Sequence, residues 1–426
     1  MTESTHLDST ANTSKVVTLS PIRVHLGLKT GVNETTPGYD AFLGKLRQFE
    51  GVAAVPALER QKTRYESIET DVYDIRLMIW HFKDQDTATV AHFHIFPNSV
   101  AVVEVRLPPM DNRLEAGGLE KESQALSKGI IRRAYGKLYE LFCRMSEELD
   151  PRIIRPISDL DVRPYDPERG PAILWVARTL ILRPLYLKDS AVKRLVKAWL
   201  ADTEKPGDAA EIIDRARDYS MTWLNYVLVE REPGCQQFRI DTMIIAQYYY
   251  AAQDLCNEQL KQAISNAYLK DRLMDVEQNL AKSRVAARLL EIAFHEHLKH
   301  LTRPKRKALE DILKSWDFED MVKNNQRMVE VCSAKLQEAN HQKRERSSLL
   351  TDLLLVSLSF FAVFELSLFL TQFSREMMSR PALDYQDETS SFFLSKIAYI
   401  DADIMILLGI VMTVALVLVY RYIKTR

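Results

Sequence analysis

The chain has 426 residues, 46% of them hydrophobic and 27% charged, which gives room for roughly two or three domains. Its 57 basic and 58 acidic side chains leave a net charge of −1, so no global field draws it to nucleic acid. Cys143, Cys235, Cys256 and Cys332 lie far apart and fit neither a zinc spacing nor a disulfide framework, which is the usage of a reducing cytoplasm.

Residues 1–14 are rich in Ser, Thr and Asn, carry no apolar run of the signal-peptide kind, and read as a disordered tail. A cytoplasmic α/β domain is expected over 15–234. Val16–Leu28 is extended, with Ile22, Val24 and Leu26 on one face, and a short helix follows at Tyr39–Glu50. Tyr73, Ile75, Leu77 and Ile79 alternate as a half-buried strand does. Val90–Phe96 and Ser99–Leu107 are its antiparallel neighbours, the latter with Ala101, Val103, Val105 and Leu107 inward and Glu104 and Arg106 outward. A helix over Leu119–Leu149 ends before Pro151, and 150–172 is an irregular connection. Ile173–Leu182 and Thr222–Val229 are further strands, with a helix over Ser190–Ala201 between them. The pattern is α+β, with the strands covered by helices on at least one side. No Gly-x-Gly-x-x-Gly or Walker-type loop occurs, and no nucleophile, base and oxyanion donors can be named together, so an enzyme is not expected.

All but one of the 13 glycines lie at or before Gly234, and after Pro233 only Pro304 and Pro381 remain. Turn-formers vanish there, and 235–348 reads as long antiparallel helices and a stalk. Leu269, Leu273, Val276, Leu280, Ser283, Ala287, Leu290, Phe294, His297 and Leu301 recur at steps of three and four until Pro304 ends or turns the helix. Trp316-Asp317 marks a joint. From Phe318 to Gln372 one uninterrupted helix is expected, roughly 80 Å long at about 1.5 Å per residue. Its coiled-coil seam runs through Val322, Asn325, Val329, Cys332, Leu336 and Ala339.

The segment 349–372 carries only Asp352 and Glu365 as charges and is long enough for a hydrocarbon core of ~30 Å. A connection, 373–396, leads to a second span within 397–421, whose stretch Ile404–Tyr420 is uncharged, and 422–426 is a basic end. Lys343, Arg344 and Arg346 precede the first span, and Arg421, Lys424 and Arg426 follow the second. The positive-inside rule then gives a two-helix transmembrane hairpin with both termini cytoplasmic.

His92 and His94 share a strand face near Trp80 and Met78 with no carboxylate alongside; they read as a surface or packed polar pair, since zinc needs three or four converging ligands. His295, His297 and His300 lack the i, i+4 spacing of a zincin helix and read as a solvated helix end. No metal ligand is assigned. Arg303, Lys305, Arg306 and Lys307 form a weak candidate contact for phosphate, of lipid or of a nucleotide. The stronger candidates are in the membrane, where an ionised carboxylate costs about 2.5–3.5 kcal/mol on insertion scales and faces a bundle interior or water. Glu365, deep in the first span, is foremost, with Ser357, Phe364, Ser367, Thr371 and Asp352 as further pore or ion-path candidates. Asp401 and Asp403 would form an acidic outer mouth if repeated around a ring.

This order of parts resembles the CorA magnesium transporter superfamily: an α/β domain, antiparallel helices, one long helix entering the first of two C-terminal spans, and the basic end Tyr420-Arg-Tyr-Ile-Lys-Thr-Arg426. The resemblance implies a pentamer in the inner membrane whose first span lines the pore. The family's Gly-Met-Asn filter is absent, as 373–396 holds Met377-Met378 and no glycine, so no filter residue is carried over. Divergent CorA-like effectors of bacterial antiviral systems also lack that motif. The expected function is thus a homo-oligomeric channel or cation transporter gated by its cytoplasmic domain, with a divalent cation or a signalling nucleotide as ligand. The alternative is a membrane-anchored coiled-coil scaffold or sensor without a pore.

Overall fold

A computed structural model describes residues 13–58, 74–87, 89–111, 115–160, 162–201, 207–221, 224–232, 234, 236–269 and 273–379, together with helical positions 392, 396, 404, 407, 409–411, 414, 415 and 418. The chain divides into two compact units, Met1–Ser333 and Ala334–Arg426.

The first unit is built on one sheet. Its strands are β1 (Thr13–Arg23), β2 (Val52–Ala54), β3 (Met78–Lys83), β4 (Val90–Ile95), β5 (Val100–Arg106), β6 (Met110–Asp111), β7 (Ala177–Leu182), β8 (Tyr219–Met221) and β9 (Asn225–Val229). Their order is β2-β3-β4-β5-β1-β7-β9-β8, with β6 pairing with β1. The described pairings are antiparallel except β7 with β9, which run parallel because a helical crossover separates them in sequence. The strand expected from Ile173 begins only at Ala177; Ile173 makes an isolated bridge to Ile22 after the left-handed turn at Gly170 (φ 68°).

Both faces of this sheet are covered. Helices α1 (Tyr39–Leu46), α2 (Ala116–Glu148), α3 (Ser190–Trp199) and α4 (Asp208–Ile213) lie on one face, where Ala101, Val103 and Val105 of β5 meet Ile131, Leu138 and Phe142 of α2. The other face packs against α5 (Gln237–Leu269) and α7 (Arg303–Ser315), with Val100 and Val102 joining Met243, Ile244, Leu309 and Ile312. The period-two alternation of β5 therefore separates two cores and not core from water. Glu104, expected outward, is only 2% exposed, because its face is the one that α5 covers.

Between α5 and α7 lies α6 (Leu273–His300), and α8 (Phe318–Ser379) follows α7. Pro304 stands in the first turn of α7, where its missing N–H breaks no helical bond. Asp317, at φ 51°, is the joint between α7 and α8. The expected direct pairing of two long helices across Pro304 is thus modified: α7 intervenes and seats Leu309, Ile312 and Leu313 in the second core. At about 1.5–3 kcal/mol for each fully buried aliphatic side chain, those three suffice to hold so short a helix in place. Beyond the joint, Gln326 donates to Glu291 at 3.1 Å and Arg284 lies 3.5 Å from Ser333, so α6 and the start of α8 run antiparallel. Asn325, Val329 and Cys332 are buried on that side, and Asn325 donates to Asn257 of α5 at 2.7 Å.

In the second unit, Thr351–Glu376 within α8 is long and apolar enough to cross a membrane, and no residue of its apolar window is buried. It is the one candidate span among the described residues. Asp401, Asp403 and most of the expected second span lie outside the described residues.

Candidate functional site

The register of β3, β4 and β5 places His81 opposite His92 and His92 opposite Glu104. Residues two apart on a strand share a face, so His94 joins them from β4 and Arg106 from β5. Ala91, Phe93, Ile95, Val103 and Val105 occupy the opposite parity and fill the core under α2. The polar parity is consequently forced beneath the second helical layer.

There it forms a connected seam. Glu104 Oε1 accepts from Arg106 Nε at 2.8 Å, and its Oε2 lies 3.4 Å from His94 Nε2. Arg76 Nη1 stands 3.3 Å from His94 Nδ1, while Arg76 Nε donates to both carboxylate oxygens of Asp74 at 2.9 Å. Arg106 Nη2 donates to Gln237 Oε1 at 2.7 Å, and Gln237 Nε2 to Asp241 Oδ1 at 3.3 Å, which ties the strands to α5. The rings of His81 and His92 are 4.2 Å apart.

Burial and charge act on these groups in opposite senses. Burial raises the Glu104 carboxyl, but the hydrogen bond and charge of His94, with Arg106, more than offset it and bring it down to about 2. Asp74 is likewise pushed up by burial and held below its ordinary value by Arg76. Asp241, lacking so direct a partner, is raised by burial. His92 is lowered to about 4, first by burial, with Glu104 pulling the other way. His81 is lowered by burial and by His94.

The seam opens into a small cleft, open to solvent, lined by Asp74, Arg76, Asp241, Thr242, His297 and Lys305. Two carboxylates stand against Arg76 and Lys305, so the pocket has no net sign that would select an anion. Burial lowers the Lys305 ammonium.

Several expectations change here. Against expectation, a carboxylate does accompany His92 and His94: ligand atoms of His92, His94 and Glu104 lie within 4.8 Å of one another. His297 is not a solvated helix end; it is 2% exposed, with its ring 5.7 Å from Tyr249, because α5 lies over that turn of α6. The basic cluster does not converge. Lys305 turns into the pocket, Arg306 pairs with Glu310 at 2.8 Å along α7, and Arg303 and Lys307 are exposed.

Among the first-span candidates, Asp352, Phe364, Ser367 and Thr371 fall on a partly covered stripe, whereas Ser357 and Glu365 lie on the exposed side. Ser357, Ser367 and Thr371 donate to the carbonyls of Leu353, Val363 and Ser367, four residues back, at 2.7–2.9 Å. Such hydroxyls are satisfied inside their own helix and do not require a polar neighbour. Glu365 has no hydrogen bond or ion pair among the described residues.

Asp74, Arg76, Gln237, Asp241 and Thr242 were not singled out by sequence reasoning. The available signal was the parity of His92, His94, Glu104 and Arg106: four polar residues on one face of two adjacent strands whose other face is wholly apolar. Comparison with protein-family models, with characterised proteins and with solved structures finds no match to this chain.

Proposed function

We propose that the chain is a homo-oligomeric, CorA-like membrane channel or cation transporter in the bacterial inner membrane, gated by its sheet-and-helix domain. The observation that carries this reading is α8 itself. One helix holds Asn325, Val329 and Cys332 buried among soluble helices and, further along, an uncovered apolar stretch with Glu365 in its midst. A carboxylate deep in hydrocarbon needs a partner, water or a proton, and a shared axis between copies supplies one. Thr371 and Ser374 are buried, as is Gly409, and small residues of this kind let a second span approach closely, which supports the hairpin. On that arrangement the line Ser357, Phe361, Glu365 and Gln372 is left to face other copies.

Cation flux from liposomes holding the purified protein, alongside the mass of the detergent-solubilised oligomer, tests the reading. Selective flux that Glu365→Leu alters, in a ring of unchanged mass, supports a pore. The hydroxyls bonded within α8 favour a second reading, a membrane-anchored sensor, since Glu365 and Gln372 are then the polar groups left to explain. Full activity after both spans are exchanged for an unrelated hairpin would establish the anchor and end the channel reading. Within the channel class, a housekeeping transporter conducts at rest, whereas a ligand-activated effector of a defence system stays silent until its ligand arrives.

A further inference from the structure

The seam beneath α5 contains a constellation that the membrane reading does not use. We infer that His92, His94 and Glu104 form a binding site for a transition-metal dication of the zinc type, independent of any ion that crosses the membrane.

Three donors come from two adjacent, hydrogen-bonded strands, so their spacing is set by the sheet and not by loops. Two imidazoles and one carboxylate are a set that suits zinc and its neighbours and not magnesium or calcium, which take oxygen ligands. The spacing of the two most buried donors is informative. His94 Nε2 and Glu104 Oε2 are 3.4 Å apart, a long hydrogen bond. With bonds of ~2.0–2.1 Å, two ligands of one tetrahedral zinc stand roughly 3.3 Å apart. His92 faces Glu104 across the register, makes ring contacts with His81 and His94, and has no hydrogen bond among the described residues. His81, on the next strand and exposed, stands where it can supply a fourth ligand or give way to water.

The site also has a mechanical consequence. When the His94 ring is neutral, Arg76 Nη1 donates toward Nδ1 and the one ring proton sits on Nε2, facing Glu104. A metal on Nε2 moves that proton to Nδ1, where it opposes the guanidinium donor to donor. Arg76 must then turn away from His94, and it lines the pocket beside Asp241 of α5 and His297 of α6. Occupancy of the strand site is thereby felt by the helices.

The test uses the full chain in detergent, stripped with a chelator and titrated with Zn²⁺ by equilibrium dialysis, with Co²⁺ absorption as a second readout. One Zn²⁺ per chain is expected, with the visible bands of nitrogen- and oxygen-bound Co²⁺. His92→Ala, at a half-buried position that tolerates truncation, should weaken binding at least tenfold while leaving the metal-free melting temperature unchanged. His295→Ala, at an exposed histidine elsewhere, should bind as wild type. Zn²⁺ should raise the melting temperature of wild type and not of His92→Ala. Arg76→Ala should bind several-fold more tightly, since it removes the opposing donor; unchanged affinity there would refute the displacement of Arg76. The site itself is refuted by absence of stoichiometric binding in wild type, or by binding that His92→Ala leaves intact.

Discussion

The two faces of the central sheet are made from the same strands and differ in kind. The face under α2 is filled mainly by aliphatic and aromatic side chains, and its polar groups stand in small separate sets: the hydroxyl pair Thr18–Ser127 at 2.8 Å, His25 bonded to Tyr135 at 2.7 Å, and Arg178, which donates to Asn225 at 3.0 Å while Asn225 donates to Glu120 of α2 at 2.6 Å. The face under α5 combines an apolar half, where Phe96 stacks on Tyr248 at 3.8 Å, with the charged seam around Glu104. A covering layer can therefore seal a sheet over apolar side chains or over charges that satisfy one another. Alternation along a strand reports which residues share a face and is silent on whether that face is wet.

The largest effects are expected in the apolar parts of the two faces. Phe142→Ala under α2 and Phe96→Ala under α5 should each cost about 3–5 kcal/mol, both side chains being fully buried. Thermal and denaturant melts should show both losses in one transition; a loss confined to a separate transition for Phe96→Ala would make the second layer an independent unit. Glu104→Gln comes next. It keeps the volume, and Arg106, half exposed, can turn to water, so the cost should fall below the ~3–5 kcal/mol of a fully buried broken pair, at about 1–3 kcal/mol.

At the rim of the α2 face, Arg133 and Thr87 hold the Asp84 carboxyl at about 2, against 3.8 for an ordinary aspartate. The folded state thus favours the ionised form. The resulting stability is complete above about pH 4 and is lost as pH falls from there through 2. Arg133 is 43% exposed, so screening reduces the effect to about 1 kcal/mol. Asp84→Asn should flatten the stability profile between pH 4 and 2 and leave its slope near neutrality unchanged. The smallest effect belongs to the buried hydroxyls. Thr18→Val alone should cost about 1 kcal/mol by leaving Ser127 without its donor, and the double variant Thr18→Val/Ser127→Ala should return close to wild type. A double variant as unstable as the sum would assign the hydroxyls a role beyond satisfying each other.

Much of the framework was legible in the residues. The strands β4 and β5 follow from their alternation, α7 from Pro304 and the Trp316-Asp317 joint, and the apolar part of α8 from composition alone, whereas β3 starts only at Met78, near the end of the alternation read from Tyr73 to Ile79. The second layer was not legible in the strands it covers, because α5 and α7 are supplied from distant sequence and leave no local mark on Glu104 or His94. His297 illustrates the same limit from the helix side: surrounded in sequence by charged neighbours, it is buried because of where Tyr249 lies. The seam around Arg76 could be inferred only by asking what four polar residues of one parity do when their face is closed.

The position of β1 bears on how the protein is made. Among the described strands it is the most N-terminal, yet it lies in the interior of the sheet, with β5 on one side and β7 on the other. During synthesis β5 can pair with it early, but Ala177–Leu182 emerges only after the whole of α2 and the long connection that follows. At ~5–20 residues per second, β1 waits several seconds with one edge of its backbone unpaired. An open edge of this kind invites pairing with another nascent chain. Premature termination between α2 and β7 should yield an aggregating product, and slowing translation across that stretch should lower the yield of folded chain more than slowing it anywhere downstream of β9.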